Sequence, residues 1–346
     1  MGPNPFLGVA FHSIGGFAAG SFYAPLKKIR SWAWETYWLV MGVAAWLITP
    51  WVVAGITTPQ LWRVIRESPP GALVWSYVFG VLWGIGGLTY GLTMRYLGMA
   101  LGVAVALGFC AVFGTLVPPV VRGQFGELLT SPAGRTVLAG VAVSLTGILI
   151  CGLAGRRKDN ELSSEEQKGA VAEFALGRGF AVAVVSGILS ACFAYGLAAA
   201  EPIAELSVRM GTKNLYANNV GLVVILMGGL TTNAIWCLRL NRRNRTFSDY
   251  RAGPWRNYIL CILGGVIWYH QFFFYGMGMT KMGEQYAFSS WSLHMAFIIV
   301  FSNLWGLYFK EWQGASRRTQ TMVWIGLAVL ILSTVIIGYA NRMGTE

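Results

Sequence analysis

Ten apolar stretches, each close to twenty residues long, occupy almost the whole chain and are separated by short polar segments. A helix needs about 20 mainly apolar residues to cross a hydrocarbon core roughly 30 Å thick. Strands of a membrane barrel would be shorter and would alternate with a period of two, which these stretches do not do. The pattern predicts an all-α polytopic membrane protein with ten transmembrane helices. The predicted spans are 5–25, 36–56, 72–94, 99–121, 135–154, 178–200, 215–238, 257–279, 285–309 and 320–341.

The charged residues support this class and predict an orientation. Only 12% of the residues are charged, against about 25% in soluble domains. The net charge of +12 does not form one basic patch, so we expect no nucleic-acid partner. The odd-numbered loops hold 18 of the 26 Lys and Arg residues, which predicts that these loops are cytoplasmic and that both termini lie outside. Membrane lipids are expected around the helices.

An internal repeat relates the third span to the eighth. With a shift of 185 residues, positions 80–98 align with positions 265–283 and are identical at seven of nineteen places, including Trp83 with Trp268 and Tyr90 with Tyr275. Because a unit of five spans is odd, the second unit would enter the membrane inverted, as in many transporters. We predict a first repeat at 1–155, a cytoplasmic linker at 156–177 and a second repeat at 178–346. Ser163 and Glu166 fit a capping box that opens a short helix in the linker.

Polar residues inside the spans are the candidates for ion coupling. All three histidines, His12, His270 and His294, lie within predicted spans, and no Asp or Glu lies at mid-span. A histidine at this depth is either a hydrogen-bonded packing residue or a functional one. Imidazole changes charge near neutral pH, so His12 and His294 are the first candidates for proton coupling. Glu35, at the end of the second span near a basic cluster, is the next candidate, although a surface ion pair is the plainer interpretation.

Aromatic residues recur at helical spacing on the two repeated spans. Trp83 and Tyr90 share one face of the third span, and Trp268, Gln271 and Tyr275 share one face of the eighth. Such stripes often serve packing, but their pairing by the repeat favours the lining of a shared cavity. Aromatic faces with a few hydrogen-bonding groups suit a neutral polyol or sugar. The candidate substrate-binding residues are His12, Trp83, Tyr90, Trp268, Gln271, Tyr275, Trp291 and His294.

Several long segments resemble a known family. The runs SFYAPLKKIRSWAWETYW (21–38), YGLTMRYLGMALG (90–102), WYHQFFFYG (268–276), WSLHMAF (291–297) and KEW (310–312) are similar to the bacterial L-rhamnose–proton symporter, in the drug/metabolite transporter superfamily. The resemblance covers nearly the whole chain. It implies proton-driven uptake of L-rhamnose or a closely related neutral deoxy sugar across the bacterial inner membrane, by alternating access, with both termini in the periplasm.

Three other classes of function are alternatives for a chain of this kind. An exporter of drugs or metabolites with the same superfamily fold is the main alternative. A sensor or assembly protein would be expected to carry a soluble domain, and the longest loop is only about twenty residues. A membrane-embedded enzyme would need a catalytic constellation or a metal-ligand motif, and neither is apparent. The chain also lacks the G-x-x-x-x-G-K-[ST] signature, so we expect no cofactor and no ATP, with protons as the coupling ion.

Overall fold

The computed structural model describes residues 4–97, 105–110, 113, 114, 116, 117, 120, 123, 125–161, 176–282, 287–308 and 314–343. Helices are the only regular secondary structure in these ranges. We number the main ones in chain order. They are α1 Pro5–Ser21, α2 Trp34–Thr57, α3 Leu61–Glu67, α4 Pro70–Leu97, α5 Phe125–Thr130, α6 Pro132–Glu161, α7 Leu176–Ala199, α8 Glu201–Arg209, α9 Asn219–Asn244, α10 Trp255–Met282, α11 Ala287–Tyr308 and α12 Arg317–Met343.

Seven helical stretches in the described ranges are long and apolar enough to cross a membrane. They are Trp34–Thr57, Pro70–Thr93, Pro132–Lys158, Gly177–Arg209, Asn214–Asn244, Trp255–Met282 and Arg317–Ile337. These correspond to seven of the ten predicted spans. The first span is present as the 17-residue helix α1, and the ninth as α11. Most of the fourth span, at 99–121, lies outside the described residues, as does the KEW run.

Helix α2 is interrupted by one π-helical turn at Val43–Ile48. Pro50 explains it, because proline has no N–H to give the carbonyl of Trp46 and its ring would clash with that carbonyl in a regular helix. In the wider turn, the N–H and the hydroxyl of Thr49 both donate to the carbonyl oxygen of Ala44, the hydroxyl at 2.7 Å. Such turns are often found at functional sites.

The chain divides into two compact units, and each takes residues from both halves of the sequence. The first unit comprises 1–10, 86–191 and 281–346. Within it, α6 packs along α12, with Val137 and Val141 against Ala340 and with Ala154 against Leu327. Gly140 and Gly147 lie against Ile337 and Leu330, and these small residues allow the two helices to approach closely.

The junction between α6 and α12 is also closed by hydrogen bonds. The carboxylate of Glu161 accepts hydrogen bonds from the N–H of Ser316 at 2.7 Å, from its hydroxyl at 2.7 Å and from the Thr319 hydroxyl at 2.9 Å. This places an anion at the N-terminus of α12, where free N–H groups and the helix dipole favour one. These hydrogen bonds, led by the Ser316 N–H, lower the pKa of Glu161 to about 2.

The second unit comprises 11–85 and 192–280 and contains α2, α9 and most of α10. Glycines set the distances between its helices. A Cβ atom on Gly265 of α10 would lie 2.6 Å from the carbonyl oxygen of Met41 in α2. A Cβ atom on Gly80 of α4 would collide with the carbonyl oxygen of Ile225 in α9. Both helix pairs therefore meet backbone to backbone.

The structure lengthens one predicted helix, and the boundaries of the linker helix and of the two repeats stay predictions. Helix α6 continues past the end of the predicted span 135–154, through Arg156, Arg157 and Lys158 to Glu161, with an i,i+4 ion pair between Arg157 and Glu161. The capping-box helix of the linker, at Ser163 and Glu166, lies outside the described residues. The compact units are groups of contacting residues rather than symmetry units, so the repeats at 1–155 and 178–346 stay a prediction.

Candidate functional site

Five large rings form a continuous cluster inside the second unit. Trp83 lies 5.7 Å from Trp268 between ring centroids, and Trp46 lies 5.5 Å from Trp268 and 6.3 Å from Trp83. Phe193 and Phe272 stack at 3.9 Å and extend the group. We call these five residues the aromatic cluster. Trp83 and Trp268, which the repeat pairs, thus lie next to each other, and their predicted role in substrate binding stays a prediction.

The glycine contacts of this unit hold the cluster together. The Trp83 ring lies across Gly229 of α9, where any side chain would displace it. The Trp46 ring lies over Gly42 of its own helix, where a Cβ atom would be 2.5 Å from the ring carbon Cζ3. Close packing of α2 against α10 at Gly265 then brings Trp46 to Trp268.

The sequence analysis missed Trp46, which is only 2% exposed and central to the cluster. No second tryptophan occupies its place in the repeat, since position 231 is a threonine. The available signal was Pro50, four residues later, because a proline inside an apolar span predicts a local change of helical geometry. That change is the π-helical turn in which Trp46 lies.

His12 is fully buried in the second unit, between two residues of α10. Its ring centroid lies 5.3 Å from that of Tyr275. A Cβ atom on Gly278 would lie 2.7 Å from Cε1 and 2.8 Å from Nε2 of the imidazole. His12 and Tyr275, both predicted from the sequence, are therefore neighbours. The two rings lie at the contact between α1 and α10.

Gln271 and His270 are bonded to their own helix. The Gln271 side-chain amide donates to the carbonyl oxygen of Trp268 at 3.0 Å, and Gln271 is 6% exposed. The His270 ring nitrogen Nδ1 lies 2.7 Å from the carbonyl oxygen of Val266. Gln271 stays beside the aromatic cluster, next to Phe272, whereas His270 contacts Phe273 and Phe274.

Tyr90, Trp291 and His294 belong to the first unit. Trp291 donates its indole N–H to the carbonyl oxygen of Cys110 at 3.0 Å, and its ring lies against Gly114. These contacts hold Trp291 against Cys110 and Gly114. His294, three residues later in α11, is fully buried, and Tyr90 is half-buried. The predicted site residues thus fall into two sets, one in each unit.

Glu35 lies in a buried polar network of the second unit rather than in a surface ion pair. Its carboxylate accepts hydrogen bonds from Asn244 at 2.9 Å and from Thr246 at 2.8 Å, and Glu35 is 5% exposed. Both of these partners are neutral. The network continues through short contacts among Thr36, Asn241, Thr246, Asp249 and Tyr250.

The same network ties the start of α2 to the segment after α9. Asp249 accepts a hydrogen bond from the backbone N–H of Ala33 at 2.8 Å. Trp38 donates its indole N–H to Asn233 at 3.1 Å, one step closer to the aromatic cluster. Burial raises the pKa of Tyr250 to about 12, so its phenol stays protonated at neutral pH. Hydrogen-bonding groups therefore line the contact of α2 with α9 from Glu35 to Asn233.

The described residues of the two sets carry aromatic, imidazole and carboxylate side chains. Within the described ranges, no group of three His, Cys, Asp or Glu side chains could hold a metal ion. The five cysteines are buried and unoxidised. The arrangement instead offers aromatic faces, buried imidazoles and one buried carboxylate.

Comparison with known proteins gives a consistent result. A family model described as L-rhamnose-proton symport protein (RhaT) matches residues 1–343. A relative named L-rhamnose-proton symporter from Cronobacter sakazakii is 39% identical over 338 residues, which cover 96% of this chain and 96% of the relative. Relatives of the same name from Escherichia coli and Klebsiella pneumoniae are 37% and 38% identical, with 96% of this chain and 97% of each relative covered.

Proposed function

Because this chain belongs to the L-rhamnose-proton symport protein family, we propose that it takes up L-rhamnose together with protons. The family is one of transporters, so the protein is a multi-pass membrane transporter rather than an enzyme. The observation that carries the proposal is the match over residues 1–343, together with full-length relatives that share one name. Uptake takes place across the bacterial inner membrane, with the lipids of that membrane as the solvent of the helices.

The aromatic cluster is suited to a neutral deoxy sugar. A sugar ring presents C–H groups on its faces and hydroxyls at its edge, and aromatic rings pack on such faces. Small-molecule sites are mostly apolar, with a few placed polar groups. Trp83, Trp268 and Tyr275 supply ring surface in the second unit, and Gln271 and His12 supply polar groups. Tyr90, Trp291 and His294 are the candidates of the first unit.

His12 and His294 are the proposed proton carriers, with Glu35 as a third group. Both imidazoles are fully buried, and their charge changes in the physiological pH range when unperturbed. One charge falling through 100 mV supplies about 2.3 kcal/mol. At tenfold per 1.4 kcal/mol, one proton supports a sugar gradient of roughly fortyfold before any pH difference. Protons are thus sufficient as the coupling ion, and no cofactor is needed.

The proposed architecture is ten helices in a 5+5 inverted repeat, as in the drug/metabolite transporter superfamily. Two helix contacts of the second unit support it. Gly80 meets the carbonyl of Ile225, and Gly265 meets the carbonyl of Met41. The shift of 185 residues takes Gly80 to Gly265 and takes Ile225 back to position 40. The first contact thus falls one residue away from the second, which joins Gly265 to Met41. Two-fold related contacts are what alternating access between inward and outward states requires. In this architecture both termini are periplasmic.

The proposed function is tested by the proton movement that sugar causes. Cells, or right-side-out membrane vesicles, that carry the protein are suspended in weak buffer, and L-rhamnose is added. Symport predicts alkalinisation of the external medium that an uncoupler abolishes. Vesicles without the protein, and D-gluconate as a charged sugar derivative, serve as controls. Acidification of the medium, or no change of pH while labelled L-rhamnose enters, would contradict proton symport and favour export or uncoupled transport.

A further inference from the structure

Trp46 has a buried polar atom with no protein partner in the described ranges. Its indole Nε1 is shielded from solvent and finds no hydrogen-bond acceptor there. The indole groups of Trp38 and Trp291, by contrast, donate to Asn233 and to the carbonyl of Cys110. A buried donor without an acceptor is unfavourable, because it has lost its hydrogen bond to water. The position of Trp46 therefore favours a bound group that brings an acceptor.

The surroundings of Trp46 are aromatic rather than polar. The nearest rings are those of Trp38, Trp83 and Trp268, with centroids 6.1, 6.3 and 5.5 Å away. A stable buried water needs about two to four polar partners, and ring faces are poor ones. A sugar suits these surroundings better than water does, because its C–H face can pack on the rings while a hydroxyl oxygen accepts a hydrogen bond from the indole N–H of Trp46.

The backbone holds Trp46 in this place. The π-helical turn at Val43–Ile48, the missing N–H of Pro50 and the close fit of the ring over Gly42 fix its direction. Such single π-helical turns within α-helices are frequent at functional sites. We propose that Trp46 binds the transported sugar and that its indole N–H donates a hydrogen bond to one sugar hydroxyl. This inference rests on the proposed function.

The experiment compares Trp46→Phe with Trp51→Phe. Trp51 lies in the same helix, and its indole nitrogen is also buried without a partner in the described ranges, but its ring contacts Trp62 rather than the aromatic cluster. Each variant is reconstituted in proteoliposomes, and competition against labelled L-rhamnose in counterflow is measured for L-rhamnose and its 2-deoxy, 3-deoxy and 4-deoxy analogues. Counterflow needs no proton gradient, so coupling defects do not obscure sugar affinity.

The expected result is specific to one analogue. In the unmodified protein and in Trp51→Phe, one deoxy sugar binds about three- to tenfold more weakly than L-rhamnose, as loss of a neutral hydrogen bond predicts. In Trp46→Phe, L-rhamnose weakens by the same factor and that analogue loses no further affinity. If Trp46→Phe fails to fold, a tryptophan analogue with sulfur in place of the indole N–H keeps the shape and serves instead.

Two outcomes would overturn the inference, and a third would overturn the proposed function instead. Unchanged affinities in Trp46→Phe contradict the hydrogen bond. An equal weakening of all four sugars with the analogue difference retained shows that Trp46 acts only through packing. If L-rhamnose drives no counterflow in the unmodified protein, the transport function itself is wrong, and the role of Trp46 falls with it.

Discussion

The imidazole of His12 lies directly over the Cα atom of Gly278, which leaves room for no side chain beneath the ring. Tyr275, one turn earlier in α10, covers the adjacent part of the imidazole. Polar groups buried in membrane proteins are costly, and they persist where they serve a function or are paired. Gly278 thus provides the space that the buried imidazole of His12 occupies.

Replacement of Gly278 by alanine should displace His12. The added methyl would lie 2.7–3.0 Å from three imidazole atoms, so the ring must move. We expect Gly278→Ala to lower proton-coupled L-rhamnose uptake at least tenfold, measured in cells. Gly87→Ala is the matched control, because nothing lies within 4 Å of a Cβ atom there. Normal uptake by Gly278→Ala would show that the seating of His12 is unimportant.

The proposed coupling role of the histidines predicts a separation of two activities. His12→Ala and His294→Ala should each abolish uphill accumulation of L-rhamnose in proteoliposomes with an imposed pH gradient, while some counterflow remains. His270→Ala should accumulate sugar normally, because its ring bonds to the carbonyl of Val266 in its own helix. Should both His12→Ala and His294→Ala accumulate sugar uphill with a normal proton signal, the histidine hypothesis is wrong.

The two backbone contacts between helices predict matched losses of stability. Gly80→Ala and Gly265→Ala each place a methyl group against a carbonyl oxygen, of Ile225 and of Met41. Overpacking of this kind costs about 1–3 kcal/mol, and we expect a lower midpoint in thermal unfolding of the purified protein in detergent. Gly91→Ala, in open space on α4, should be neutral or slightly stabilising. A loss in only one of the pair would argue against symmetric roles.

Glu161 predicts a loss of stability in acid. Its pKa is lowered from 4.5 to about 2 by the hydrogen bonds from Ser316 and Thr319. A depressed folded-state pKa stabilises the protein above pH 4.5, and the contribution disappears as the pH falls towards 2. Thermal unfolding of wild type and Glu161→Gln should therefore differ most at pH 5–7 and converge as the pH approaches 2. A difference independent of pH would mean that the charge of Glu161 is irrelevant.

The sequence predicted those features that depend on composition and helical spacing. The apolar lengths located seven spans that the structure describes, and helical spacing singled out Trp83 and Trp268, whose rings lie 5.7 Å apart. The sequence could not predict contacts that depend on how helices far apart in the chain pack together. Glu35 has its partners at Asn244 and Thr246, more than 200 positions away, so a nearby basic cluster was the natural but incorrect expectation. Trp46 was hidden for the same reason, since only a wider turn of its helix directs it to Trp268.

The wider turn of α2 also decides which residues share a side of that helix. In a regular α-helix each residue advances by about 100°, so the eight steps from Trp38 to Trp46 would leave the two rings about 80° apart. The single looser coil removes part of this rotation, and the two rings lie 6.1 Å apart, with Trp34 stacked on Trp38 at 5.3 Å. The π-helical turn thus changes the angle around the helix axis between residues on its two sides. With the same number of residues wound as a regular α-helix, Trp38 and Trp46 would point in different directions.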